Sequence, residues 1–274
     1  MLDARAYSEL MRPFNCVMAA AAVFIGLSVA IRGIAFPFAL LLGMFSAFVI
    51  CGAGQAINDF YDAEVDKKLN PKKPIPAGRA SAKGARNFAI ALFAIGIAVS
   101  YFINTDAFII ALFYSALLYA YSAKMQGHKY IGNWVVAGGT AITLIYGAAI
   151  AGNYSVVIYL AFAALLANGA REIIKDMQDI GGDIGRKRTL PMMLPEKIVR
   201  YIVFLLYGTA IAIGFFVWAM GMLQGIFYLI FMALASVAFY YSFDRLVRGK
   251  TGEAQKYSKY AMGIALLAFV AGVF

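Results

Sequence analysis

The sequence predicts an all-α membrane protein: a bundle of nine transmembrane helices with a cytoplasmic polar cap and a buried apolar cavity. Three observations carry that reading: an apolar composition, nine apolar runs of spanning length, and basic residues that sort to alternate loops. Of 274 residues, 63% are hydrophobic and 14% are charged. A soluble domain has roughly 45–50% apolar and about 25% charged residues, so this chain has too little polar surface to face water on all sides. A secreted disulfide scaffold, a disordered chain and a free cytosolic enzyme are excluded. The whole chain, 1–274, reads as a single polytopic domain.

A spanning helix needs about 20 mostly apolar residues. Such runs fall at about 13–31, 34–57, 87–104, 107–123, 131–150, 154–174, 198–219, 222–243 and 258–274. They are rich in glycine and alanine, which let helices pack closely in lipid. A transmembrane barrel would show alternating segments of about ten residues instead. The N-terminal ten residues mix both signs of charge and do not read as a cleaved signal.

Alternate loops hold 23 of the 24 lysines and arginines, with Arg32 alone on the other side. By the positive-inside bias the basic side is cytoplasmic, which puts the N-terminus and any polar site there and the C-terminus outside. A multi-pass cell-membrane protein follows. The net charge of +10 is thereby explained by topology and anionic headgroups. No soluble domain is available to grip nucleic acid. Cys16 and Cys51 lie in apolar runs without metal-ligand spacing and read as packing residues, and the only histidine, His128, is in a short loop.

Eight of the fourteen acidic residues lie in two short stretches, Asp59–Asp66 and Glu172–Asp183. Each contains Asp-x-x-Asp-x-x-x-Asp: Asp59, Asp62 and Asp66 after the second span, Asp176, Asp179 and Asp183 after the sixth. On a helix this spacing keeps three carboxylates within about 60° of one face. Asn58 sits beside the first face, Glu172 joins the second, and Gly181-Gly182 is a candidate helix end. Carboxylates about 5–6 Å apart repel by roughly 3 kcal/mol per pair at an effective dielectric of about 20, so cations must sit among them. An oxygen-only donor set suits Mg²⁺, which shares its shell with substrate phosphates. The bland alternative is ion pairing with nearby basic residues. Two clusters of equal spacing on one membrane side favour Mg²⁺ and a diphosphate. Basic residues follow each cluster in loops bent by proline and glycine: Lys72, Lys73 and Arg79, then Arg186, Lys187 and Arg188.

A diphosphate above an apolar cavity implies a substrate with a charged head and a greasy tail, as in prenyl diphosphates. Tyr61, Tyr119, Tyr121 and Tyr146 offer aromatic faces to a carbocation, although packing explains any one of them as well. Taken together, Asn58-Asp59-x-x-Asp62-x-x-x-Asp66, Asn70-Pro71-Lys72-Lys73-Pro74-Ile75-Pro76-Ala77-Gly78-Arg79 and the second aspartate cluster resemble the UbiA-type membrane prenyltransferases over essentially the whole chain. The stretches Glu9–Asn15, Ala170–Asp179 and Arg188–Pro191 are most similar to the branch that builds archaeal ether lipids. That resemblance implies transfer of a geranylgeranyl group from its diphosphate to geranylgeranylglyceryl phosphate, with Mg²⁺ as cofactor.

It also implies that the six aspartates bind Mg²⁺–diphosphate and act in catalysis, and that Arg12, Asn15, Asn58, Lys73, Arg79, Tyr121, Lys124 and Lys175 bind substrate. One departure stands out. Relatives carry Tyr-x-x-x-Lys after the fourth span, whereas here Lys124 comes only three residues after Tyr121. Three other readings are open. An aromatic polyprenyltransferase of quinone synthesis shares the donor half of the chemistry. A CDP-alcohol phosphotransferase would need Asp-Gly-x-x-Ala-Arg, which is absent. A transporter would place its charges near mid-membrane.

Overall fold

The computed structural model describes residues 3–125, 129–183 and 189–274, with side chains described outside 124–131 and 181–188. Twelve α-helices follow in chain order: α1 (Ala4–Met11), α2 (Pro13–Ile31), α3 (Phe38–Tyr61), α4 (Ala63–Leu69), α5 (Ala82–Tyr101), α6 (Thr105–Ala120), α7 (Lys129–Ala151), α8 (Val157–Asp183), α9 (Leu190–Met193), α10 (Glu196–Ala219), α11 (Ile226–Val247) and α12 (Thr251–Ala271). A π-helical turn over Tyr121–Met125 extends α6. No strand occurs among the described residues.

Eight of these helices are long and apolar enough to cross a membrane: α2, α3, α5, α6 with its extension, α7, α8, α10 and α11. Most of the ninth expected span, 258–274, lies in α12, which ends at Ala271. That helix starts earlier, at Thr251, and takes in Glu253, Lys256 and Lys259, so its first half is too charged to count by apolarity. Helix ends follow local chemistry. Asp3 caps α1, accepting from the N–H groups of Arg5 and Ala6. Ser81 and Asn104 cap α5 and α6 in the same way, accepting from Gly84 and Ala107.

The chain forms two compact units, Met1–Phe24 with Phe36–Lys124, and Ile25–Ala35 with Met125–Phe274. In the first unit α3 is central and packs against α1, α5 and α6. Ser46 on α3 donates to the Gly96 carbonyl at 2.9 Å, and a Cβ on Gly96 would lie 2.5 Å from the Ile50 side chain. In the second unit α8 is central, with α7, α10 and α12 around it and α11 against α10 and α12. The end of α2 belongs here: a Cβ on Gly26 would come within 2.1 Å of the Leu144 carbonyl oxygen of α7. Small residues thus set both close approaches, as expected where dispersion and shape drive packing.

Candidate active site

The first acidic cluster forms where α3 stops. The helix ends at Tyr61, Asp62 forms the joint at φ −82° and ψ −2°, and α4 resumes at Ala63. The N–H of Asp62 still donates to the Asn58 carbonyl and that of Asp66 to the Asp62 carbonyl, so the helical path is nearly preserved. Asp59 and Asp66 therefore stay on one side, across the joint between α3 and α4. Both are buried at 4% exposure. Asp62, half-buried, accepts from Asn58 Nδ2 at 2.9 Å.

The loop after α4 turns back over this helix end. Asn70 Nδ2 donates to Asp66 at 3.0 Å, and Gly78, at φ +72°, supplies the left-handed backbone that lets Arg79 and Ala80 bond back to the Pro74 carbonyl. This fold places Lys73 Nζ 3.1 Å from Asp59 Oδ1 and 2.6 Å from Asp66 Oδ2. Arg12 comes from the opposite direction. It sits between α1 and α2 at φ 51°, an uncommon conformation for a residue with a Cβ, and its guanidinium donates to Asp59 Oδ1 at 2.8 Å. Burial works to lower the pKa of Lys73, but the hydrogen bond to Asp66 and the charge of Asp59 prevail and raise it.

Arg79, which the resemblance implies as a substrate-binding residue, pairs with α1. It grips Glu9 of α1 through two bonds, 2.9 and 2.6 Å, and the Lys72 carbonyl at 3.2 Å. The hydrogen bond from Arg79 holds the Glu9 carboxyl below its ordinary pKa and raises that of Arg79 in return. Glu9 is a partner that charge counting missed. Asn15, near the start of α2, is exposed. Tyr61 donates to Tyr119 at 3.4 Å, Tyr121 is half-buried in the π-helical turn, and the side chain of Lys124 lies outside the described residues.

The second cluster lies on α8, which continues through Gly181-Gly182 to Asp183 and so corrects the expected end at the glycines. Asp176 is 1% exposed and accepts from Asn133 Nδ2 of α7 at 2.5 Å. Glu172, also buried, binds Arg171 at 2.8 Å and Lys175 at 3.7 Å. Asp179 and Lys175 are exposed. The side chains of Asp183, Arg186, Lys187 and Arg188 lie outside the described residues, as does His128. Asn133 was missed in the sequence because a lone amide in an apolar run carries no motif.

Cys16 and Cys51, expected to be packing residues, are free thiols: Cys16 is buried and donates to the Met11 carbonyl at 3.1 Å, and Cys51 is half-buried.

No described group of three or more His, Cys, Asp or Glu side chains is assembled to hold a metal ion. What the first unit does present is two buried carboxylates sharing one ammonium. Lys73 stands there as a monovalent stand-in, and the donors around it are all oxygens, the set that suits a hard divalent cation.

The UbiA prenyltransferase family profile matches residues 19–269. A digeranylgeranylglyceryl phosphate synthase of Methanopyrus kandleri is 37% identical, with 98% of this chain and 99% of that protein covered. The Thermococcus kodakarensis protein of the same name is 33% identical, with 98% of each chain covered. A solved digeranylgeranylglyceryl phosphate synthase structure superposes with a TM-score of 0.86 at 30% identity, covering 100% of this chain and 99% of that one. A UbiA homologue from Archaeoglobus fulgidus bound to GPP and Mg²⁺ shares the fold, with a TM-score of 0.66 at 20% identity over 95% of this chain and 99% of that one.

Proposed function

The chain belongs to the UbiA prenyltransferase family and is a multi-pass membrane prenyltransferase; from that premise we propose that it moves a geranylgeranyl group from geranylgeranyl diphosphate to the free hydroxyl of geranylgeranylglyceryl phosphate. The full-length likeness to digeranylgeranylglyceryl phosphate synthases carries this reading.

In the reaction the allylic C–O bond of the donor breaks and its electron pair leaves with the diphosphate. The acceptor hydroxyl oxygen then bonds to the allylic carbon, and its proton passes to a carboxylate or phosphate oxygen. Asp59, Asp62 and Asp66, with Asp176, Asp179 and Asp183, are the residues that would hold Mg²⁺, an oxygen-only donor set in which Asp59 and Asp66 already share one cation, Lys73. When bound, Mg²⁺ neutralises charge that develops on a departing diphosphate. Arg12 and Lys73 add positive charge beside Asp59, which would favour the same developing charge. Apolar helices exclude the water that would quench an allylic cation. An allylic cation is a strong electrophile and demands little of a base, so no histidine is required. The active side is the cytoplasmic one, because the basic loops adjoin both acidic clusters.

Purified protein in liposomes, given labelled geranylgeranyl diphosphate and Mg²⁺, should form a lipid ether with geranylgeranylglyceryl phosphate and none with 4-hydroxybenzoate or a naphthoate. Asp62→Ala and Asp179→Ala should each abolish diphosphate release while far-ultraviolet circular dichroism stays unchanged. Prenylation of an aromatic acceptor alone would reassign the enzyme to quinone synthesis. Full turnover in both alanine variants would remove the aspartates from the site.

A further inference from the structure

In the first unit a closed circuit of contacts ties two cations to each other through their backbones. Arg12 and Lys73 meet on the same oxygen, Asp59 Oδ1, at 2.8 and 3.1 Å. They reach it from segments far apart in sequence. Glu9 and Arg79 join those same two segments a second time. Arg79 forks onto both carboxylate oxygens of Glu9, at 2.9 and 2.6 Å. A planar guanidinium held at two points fixes direction as well as distance.

Each member of that pair also holds the backbone beside one of the cations. Arg79 donates to the Lys72 carbonyl at 3.2 Å, and that carbonyl belongs to the peptide unit carrying the Lys73 N–H. The Lys73 N–H donates to the Asn70 carbonyl at 3.0 Å, and its own carbonyl accepts from Ala77 at 3.0 Å. On the other segment, the Glu9 carbonyl accepts from the Arg12 N–H at 3.2 Å and closes the turn in which Arg12 takes its φ of 51°. A residue with a Cβ keeps that left-handed conformation only where its surroundings impose it. The base is firm, because α1 packs on α3 and Met11 lies over Gly52, where a Cβ would come 2.7 Å from the Met11 Cε. Arg79 has little left for a substrate: its charge is matched by Glu9, and its fork is taken. A diphosphate would recruit it only by opening the circuit.

We propose that Glu9 and Arg79 are positioning residues. Together they set the backbone from which Arg12 and Lys73 bring positive charge to the first aspartate cluster, and Arg79 itself does not touch the donor diphosphate. This rests on the transfer reading above for its donor half alone.

The test uses the full-length protein in detergent with Mg²⁺. Isothermal titration with geranylgeranyl thiolodiphosphate, whose C–S bond resists ionisation, measures donor binding without acceptor, and steady-state kinetics follow with both substrates. Glu9→Ala and Arg79→Ala should each weaken donor binding and raise the donor KM by about 10–100-fold, the scale of effect when a charge is misplaced by about 1 Å, while the acceptor KM stays unchanged. The double variant should fall within about twofold of the worse single one, because both changes open the same circuit. Arg79→Lys should recover little, since an ammonium cannot fork onto two oxygens, whereas a phosphate contact would accept it as a point charge. A smaller folded fraction lowers kcat alone, so an unchanged donor KM in both alanine variants overturns the proposal. Tighter donor binding in Glu9→Ala also overturns it, by showing that a freed Arg79 binds the diphosphate. Wild-type affinity in Arg79→Lys, or effects that multiply in the double variant, do the same. If the pattern holds in donor binding but no ether forms with geranylgeranylglyceryl phosphate, the positioning pair stands and the acceptor reading fails.

Discussion

Lys73 reaches two buried carboxylates that lie seven residues apart, and its removal exposes what they cost. In Lys73→Met, Asp59 keeps Arg12 and Asp66 keeps Asn70, but the shared ammonium is gone. Removing one partner of a buried pair typically costs about 3 kcal/mol, because the remaining charge stays desolvated. The expected result is a lower thermal midpoint in detergent without divalent cations, and a larger gain from added Mg²⁺ than wild type shows. An unchanged midpoint would mean that the ammonium does not counter these charges. The raised pKa of Lys73 fixes the pH window. Its stabilisation is fully present below the ordinary lysine value of 10.5 and is lost only as pH rises through the higher folded value, so neutral buffers report it in full.

At the scale of elements, the loop from Asn70 to Ala80 is fastened at both ends of its turn, by Lys73 to the aspartates and by Arg79 to α1. The second fastening responds to acid. Glu9 has a lowered pKa because Arg79 hydrogen-bonds its carboxylate, so the anchor is complete above the ordinary glutamate value of 4.5 and is lost as pH falls through the folded value. Hydrogen exchange of 70–80 should stay slow from pH 8 to 5 and accelerate below about 4.5. Glu9→Gln should make it fast throughout, and a slow loop in that variant would show that Arg79 does not hold it. The aspartate spacing was legible in sequence because period and residue type alone placed Asp59 and Asp66 together. The partner of Arg79 was not, since 70 residues separate it from Glu9 and no local pattern encodes a contact that tertiary packing creates. The break at Asp62 was hidden because Asp-x-x-Asp-x-x-x-Asp reads as continuous on one helix, whereas Asp62 stands as a joint between α3 and α4.

For the whole molecule, the number of crossings decides on which side the C-terminus lies, and α12 is the helix in question. Its charged first half keeps it below the apolarity of the other spans, yet its course follows its neighbour. α12 packs along α11 and leaves a short turn at Arg248–Lys250. At its far end the Gly272 carbonyl accepts from the Gln224 N–H at 3.3 Å, beside the start of α11. A Cβ on Gly272 would meet Tyr228 and Leu223 there. The helix therefore retraces α11 from one end to the other, and 21 residues at 1.5 Å each cover about 31 Å, close to the thickness of the hydrocarbon core. If α11 crosses, α12 crosses back, with Lys256 and Lys259 near the basic side and the apolar stretch beyond them in lipid. The positive-inside bias then puts Arg248–Lys250 in the cytoplasm and Phe274 outside. A reporter active only in the cytoplasm should give signal when inserted after Gly249 and none when fused to Phe274, and a reporter active only outside should give the reverse. Cytoplasmic signal at both positions would make α12 a packed but non-crossing helix and leave eight spans, with both termini on the same side.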